Sequence, residues 1–151
     1  MRKFRFRLET LLKFRKMQEE QAQIKLAEAS NRLLQEQEML AGMKNQLALT
    51  MDLLSREQAG NPTIDTLKTF SFYIDKIKSD IAAQQERVNK AAADRQECLR
   101  AMEAAMQQRK LVDNLKDKRL EQYHNELLQE EQKILDELGT QAFMRDKESG
   151  F

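Results

Sequence analysis

Residues 26–54 read LAEASNRLLQEQEMLAGMKNQLALTMDLL, and every seventh residue of this stretch, starting at Leu26, is a leucine. The series extends upstream to Leu12, with Glu19 as its one polar member. A second series interleaves with it at Leu8, Arg15, Ala22, Ala29, Glu36, Met43 and Thr50. Alternating steps of three and four residues are the pattern of a coiled-coil seam. The stretch therefore predicts a long helix that buries one stripe against another helix.

A turn separates this ladder from a second one. Gly60, Asn61 and Pro62, the only proline, all favour turns, and Pro62 fits the first position of a new helix. The second ladder consists of Leu67, Phe70, Ile74, Ile77, Ile81, Val88 and Ala91. The nearest surface that can cover each ladder is the other one. The sequence therefore predicts an all-α fold, a long two-helix antiparallel coiled-coil hairpin whose second helix extends past the first.

We expect a single hairpin domain over residues 1–151. Its expected parts are helix 1 at about 5–58, a turn at 59–62, helix 2 at about 63–138 and a frayed tail at 139–151.

The end of helix 2 is expected to overhang. If the two helices pair residue by residue on either side of Asn61, Leu8 lies opposite residue 114. The part of helix 2 beyond residue 114 then has no partner within the hairpin. The seam also leaves its register between Arg109 and Arg119, where charges crowd. The overhang still carries an apolar stripe, formed by Leu120, Tyr123, Leu127, Leu128, Ile134 and Leu138. An uncovered stripe indicates an external partner.

Composition agrees with long helices, since 34% of residues are charged and the chain has 4 glycines and no tryptophan. The single Cys98 excludes an internal disulfide and indicates a reducing compartment. No apolar run approaches the roughly 20 residues of a membrane span. Charged residues such as Arg5 and Glu9 interrupt the N-terminus, which excludes a signal peptide. We expect a cytoplasmic protein without an integral membrane segment.

Charge is unevenly distributed, although the formal net charge is only +1. Residues 1–16 carry +6 and residues 121–138 carry −5, which suggests that the two ends meet different partners. Antiparallel pairing adds the basic residues of 109–119 to those of 1–16, giving a basic collar. The collar is interpreted as a docking surface for an acidic protein or as a plain solvated start of the coiled coil. An anionic membrane and nucleic acid are less favoured readings.

No catalytic set is present. The sequence has no Gly-rich phosphate loop and no Ser/His/Asp set that the single His124 could serve. His124 also lacks neighbouring His or Cys residues, so no metal site is expected. We expect a protein without cofactors that is not an enzyme.

Aromatic residues cluster near the turn. Phe70 belongs to the second ladder, whereas Phe72 and Tyr73 point off it. An outward aromatic is a candidate partner contact, and the alternative is padding of the tip.

Three stretches of the chain resemble the FliJ family of flagellar type III protein export. They are Phe4-Arg5-Phe6-Arg7-Leu8-Glu9-Thr10-Leu11-Leu12, Tyr73-Ile74, and Glu131-Gln132-Lys133-Ile134-Leu135-Asp136-Glu137. Their order and spacing cover nearly the whole length, which makes the joint match more specific than any one stretch.

The resemblance implies a non-enzymatic component of flagellum biogenesis and motility, similar to the central stalk of rotary ATP synthases. It implies docking in the hexameric export ATPase ring, promotion of ring assembly, and contact with the regulator of that ATPase. It also implies contact with the cytoplasmic domain of the export-gate membrane protein and with substrate-specific export chaperones, and no nucleic-acid partner. The expected location is the cytoplasm, peripherally at the inner membrane beneath the flagellar base.

By analogy with the stalk, the end with both termini would enter the ATPase ring and the tip would face the export gate. The candidate ATPase-docking residues are Arg5, Arg7, Lys13, Lys16, Arg109 and Lys110. The candidate gate-binding residues are Phe72, Tyr73 and Ile77. Two alternatives stay open: a stalk subunit of a virulence type III or vacuolar-type ATPase, and a structural coiled coil that self-associates through the overhang.

Overall fold

The computed structural model describes residues 3–150, which form two long helices, α1 (Glu9–Ala59) and α2 (Ile64–Ser149). The described residues contain no β-strand. The two helices are in contact and run antiparallel, and α2 is the longer one. The predicted all-α hairpin with an extended second helix is confirmed. Residues 1, 2 and 151, which the expected domain bounds include, lie outside the described residues.

The helix ends differ from the expected bounds. α1 begins at Glu9 rather than near residue 5, because residues 3–6 have no regular secondary structure and residues 7–8 form a turn. α2 continues to Ser149 rather than ending near residue 138, so residues 139–149 are helical and not frayed. Gly139 costs a helix only about 1 kcal/mol relative to alanine, which is too little to stop one that is already propagating.

The turn is held by local hydrogen bonds. The Gly60 backbone N–H donates to the Glu57 carbonyl at 3.0 Å, and Asn61 adopts a left-handed φ of 57° that asparagine tolerates better than most residues. Thr63 caps α2, because its hydroxyl accepts the Thr66 backbone N–H at 3.2 Å. Pro62 therefore precedes the cap, rather than opening the helix as the sequence suggested.

The chain divides into two compact units. Gln18–Ala105, called here the turn unit, contains the turn and the helix segments on either side of it. The terminal unit combines the chain up to Met17 with the chain from Met106 onward. In each unit a segment of α1 lies along a segment of α2.

The seam of the turn unit follows the two predicted ladders. Its most buried apolar residues are Leu40, Ile74, Ile77, Val88 and Ala91. Gln84, at 3% exposure, fills the gap in the second ladder between Ile81 and Val88. Its side-chain amide donates to the Glu36 backbone carbonyl at 3.0 Å and also to the Glu36 carboxylate. Gln84 and Glu36 are thus hydrogen-bonded to each other across the two helices.

The terminal unit has a shorter seam. Leu12 and Val112 are its buried apolar residues. Arg15 Nη1 donates to Gln108 Oε1 at 2.6 Å, and Lys116 Nζ lies 3.0 Å from Glu9 Oε2. Beyond Lys116 the half-buried residues of α2 are Leu120, Tyr123 and Leu127. Leu120 follows Lys116 by four residues, as Lys116 follows Val112. Two consecutive steps of four interrupt the heptad here, within the stretch where the sequence loses register.

Candidate functional site

The tip surface lies in the turn unit and is centred on Phe72. The Phe72 side chain is 73% exposed, as expected for a residue off the seam. Tyr73 is also exposed, but its hydroxyl accepts a hydrogen bond from Gln46 Nε2 at 2.6 Å. The Tyr73 hydroxyl is therefore held by α1 while the residue remains exposed to solvent.

Ile77 does not belong to this surface. Its side chain is only 5% exposed, because it is a seam residue packed against α1. The second ladder already includes Ile77, and its burial agrees with that position. Of the three candidate gate-binding residues, Phe72 and Tyr73 are exposed and Ile77 is buried.

Two leucines of α1 were missed by the sequence reasoning. Leu49 and Leu53 are both exposed, although the leucine ladder runs past them at Leu47 and Leu54. Leu53 lies seven residues after Gln46, so both occupy the same flank of α1. Because Gln46 bonds to Tyr73, that flank continues the tip surface onto α1. Their position off the heptad was the signal that they are not core residues.

The basic collar lies in the terminal unit and is only partly free. Five of its six candidate residues are exposed, namely Arg5, Arg7, Lys13, Lys16 and Lys110. Arg109 is half-buried, and its Nη1 lies 2.6 Å from Asp113 Oδ2, one turn further along α2. Arg109 is therefore a seam residue with a carboxylate partner.

The N-terminal residues 3–8, called here the strap, pack against α2 instead of extending α1. The rings of Phe4 and Tyr123 have centroids 5.5 Å apart at an interplanar angle of 49°. Two grooves of about 480 and 570 Å³ run between strap and helix, and Glu126 lines both. Glu130 and Leu127 line the second groove. The basic N-terminus thus meets part of the acidic stretch of α2, although the charge asymmetry suggested separate partners.

Side chains form the contact between the strap and α2, with the ring of Phe4 on that of Tyr123. An extended segment cannot pair its backbone with a helix, whose N–H and C=O groups are already bonded to each other. A tilted aromatic pair such as Phe4 and Tyr123 contributes about 0.5–1.5 kcal/mol beyond its buried area. The strap is accordingly one of the more weakly held parts of the terminal unit.

Beyond Leu127 every described residue of α2 is exposed. This bare segment, residues 128–149, still carries large apolar side chains. They are Leu128, Ile134, Leu135, Leu138, Phe143 and Met144. Part of the predicted overhang is therefore covered by the strap, and the uncovered part starts about four turns later than expected.

Neither helix has a stretch, within residues 3–150, that is both apolar and long enough to cross a membrane. The same residues hold no group of three or more His, Cys, Asp or Glu side chains set to bind a metal ion.

A protein-family model described as "Flagellar FliJ protein" matches residues 4–148. The chain belongs to the FliJ family. The match includes the strap, the tip surface and nearly all of the bare segment, and it confirms the resemblance found in the sequence. The FliJ family is a component of flagellar protein export and is not a known enzyme family. No curated protein and no solved structure matches the chain.

Proposed function

We propose that this FliJ-family chain docks in the hexameric export ATPase ring through its terminal unit and promotes assembly and activity of the ring. The turn unit contacts the cytoplasmic domain of the export-gate membrane protein. The chain also meets the regulator of the ATPase and substrate-specific export chaperones. It acts without cofactor or catalysis, in the cytoplasm at the inner-membrane face of the flagellar base.

The observation that carries the ATPase contact is the exposed charge of the collar. Arg5, Arg7, Lys13, Lys16 and Lys110 lie in one unit and are all exposed. Like charges that lie close together repel and do not stabilise a fold. An acidic ring lining would neutralise them and steer the encounter. Arg109 supports the fold instead, through its ion pair with Asp113.

The tip surface supports the gate contact. Phe72 exposes most of a large apolar ring, and Leu49 and Leu53 add exposed apolar area on the flank beside Tyr73. Exposed aromatic and aliphatic groups of this kind are typical anchors of protein interfaces.

Charge reversal tests the ATPase contact. The reversed set is Arg5, Arg7, Lys13 and Lys16, each changed to Glu. Repulsion from an acidic lining should reduce stimulation of ATP hydrolysis by the cognate export ATPase by tenfold or more, taking roughly 1.5 kcal/mol of lost attraction or added repulsion in total. The measurement is ATPase rate against concentration of the chain at low ionic strength.

A matched control carries the same change of charge in the turn unit. Lys44, Lys68, Lys76 and Lys78 are all exposed there, and their reversal to Glu should leave stimulation intact. A third variant reverses Lys13, Lys16 and Lys110 and leaves the strap unchanged, so that loss of the collar is separated from release of the strap. Full stimulation by the first and third variants at low salt would exclude the collar as the docking surface.

A structural coiled coil that self-associates is the second candidate. The bare apolar side chains of residues 128–149 favour it, because a dimer would bury them. Mass measured by light scattering over a wide concentration range separates the two candidates. The family match favours flagellar export over a stalk subunit of a virulence type III or vacuolar-type ATPase.

A further inference from the structure

The strap has the side-chain alternation of an extended segment. Phe4 and Phe6 are half-buried, whereas Lys3, Arg5 and Arg7 are exposed. A period of two places alternate side chains on opposite sides of an extended backbone. One side of the strap is therefore aromatic and packs on α2, and the other side is basic.

The face of α2 beneath the strap has complementary chemistry. Tyr123 offers an aromatic ring to Phe4, and Leu127 extends the apolar strip along the second groove. Glu126 lines both grooves and Glu130 lines the second, together with Lys3 and Arg5 of the strap, whereas Arg119 lines the first groove. The docking face is therefore an apolar strip with two carboxylates at the end near Lys3 and Arg5, and this end suits an aromatic and basic extended ligand.

The strap is able to leave this face without unfolding α1. The first helical hydrogen bond after the strap joins the Leu12 N–H to the Leu8 carbonyl, and a turn bond joins the Glu9 N–H to the Phe6 carbonyl. Neither bond involves α2. Releasing residues 3–6 from α2 breaks the side-chain contacts of Phe4 with Tyr123 and leaves the seam that starts at Leu12 in place.

We propose that this face of α2 is a docking surface for an extended partner segment that alternates aromatic and basic side chains. The strap occupies the surface in the free chain and is displaced by such a segment. The strap therefore competes with the partner segment for this surface. The partner segment must bind more tightly than a strap that is tethered next to its site. This proposal does not depend on which protein the basic collar binds.

A tryptophan reporter tests the proposal in the full chain. The sequence contains no tryptophan, so Phe4→Trp introduces a single indole that retains an aromatic ring at the strap. Phe72→Trp places the same reporter at an exposed site of the turn unit and serves as the control. Quenching by acrylamide, which is uncharged, measures the exposure of each indole. Helicity from circular dichroism confirms that both variants fold.

In the free chain the indole at position 4 should be quenched about half as strongly as the one at position 72, because the strap ring packs against Tyr123. Adding Tyr123→Ala should raise quenching at position 4 to the control value with helicity unchanged. Equal quenching of the two reporters in the parent background would overturn the docked strap.

A synthetic peptide with the sequence of residues 3–8, KFRFRL, is the competing probe. A short tether gives an effective concentration on the order of millimolar, so half-displacement should need roughly millimolar peptide. The peptide KRRFFL has the same composition and charge but lacks the alternation. Displacement by KFRFRL alone supports the proposal. Displacement by both peptides alike, or by neither, overturns it.

Discussion

Gln84 and Glu36 place polar atoms in the middle of an apolar seam, and both are satisfied there. A shift of either helix by one heptad would leave the Gln84 amide buried opposite an apolar residue, and an unmade buried hydrogen bond costs about 1–3 kcal/mol. The pair therefore fixes which residues meet more than it adds stability. A search for apolar ladders could not predict that Gln84 is a seam residue, because this polar side chain is buried only through its hydrogen bonds to Glu36 on the other helix.

At the same scale, the two substitutions Leu40→Asp and Leu34→Asp should differ sharply. Leu40 is 7% exposed in the seam and Leu34 is 54% exposed on the outside of the same helix. Leu40→Asp loses apolar burial and desolvates a carboxylate, so the free energy of unfolding should fall by roughly 3 kcal/mol. Leu34→Asp should change it by less than about 0.5 kcal/mol. Chemical denaturation followed by circular dichroism measures both, and equal effects would contradict the assigned seam.

At the scale of the element, α2 contains a packed part and a bare part. Isolated short helices are marginal in water because nucleation is unfavourable, but the bare segment propagates from a helix that already exists. Local contacts assist it, since Gln132 Nε2 donates to Asp136 Oδ1 at 3.1 Å and the Thr140 hydroxyl donates to the Asp136 carbonyl at 2.9 Å. The sequence predicted fraying at Gly139 because a single glycine looks like a stop signal, and its cost is too small here.

Two glycine substitutions, one in the packed hairpin and one in the bare segment, should show that the two regions unfold separately. A Cβ at Gly42 or at Gly139 meets nothing within 4 Å, so alanine fits at either position. Each change should favour the helix by about 1 kcal/mol. Gly42→Ala should raise the melting temperature. Gly139→Ala should leave it unchanged and slow amide hydrogen exchange in residues 128–149 by roughly fivefold. A higher melting temperature for Gly139→Ala would mean that the bare segment unfolds together with the seam.

The strap is a second segment whose conformation the sequence could not predict. Phe4, Leu8 and Leu12 have the spacing of a helix, while Phe4, Phe6 and Leu8 have the spacing of a strand. Local pattern cannot choose between the two. The choice depends on Tyr123 and Leu127, more than 100 residues away, which offer an apolar surface only after α2 has formed.

At the scale of the whole molecule, the two units present surfaces of different chemistry. The turn unit exposes aromatic and aliphatic groups, and the terminal unit exposes cations beside a bare apolar helix. Sequence reasoning found both kinds of surface from residues off the ladders and from charge asymmetry. It could not predict that Ile77 is buried and that Arg109 is half-buried beside Asp113, because exposure depends on rotation about the helix axis and on ion pairing.

Phe72→Ala should weaken the proposed contact with the export gate and leave the proposed contact with the ATPase intact. Because Phe72 is exposed, its loss should leave the melting temperature unchanged while weakening binding to the cytoplasmic domain of the export gate by about tenfold or more, as for an interface anchor. Stimulation of the export ATPase should remain normal. Calorimetry with the purified gate domain measures the affinity.

Phe70→Ala is the matched control for this change, since Phe70 is half-buried in the seam and its loss should lower the melting temperature. Gate affinity unaffected by Phe72→Ala, in a chain that folds normally, would remove Phe72 from the proposed surface.

The heptad seam also limits how the length of this chain can change during evolution. Inserting one residue within α1 between Leu12 and Leu54 rotates every later ladder residue by about 100° out of the seam. A tolerated insertion must therefore keep the seam: a heptad, or a stutter of three or four residues that local rewinding absorbs, matched by an equal insertion at the same level of α2. After Leu127 no such constraint applies, because every residue of 128–149 is exposed. Relatives of different length should accordingly vary at the end of α2, one residue at a time, and between the two ladders only in paired steps that keep the seam.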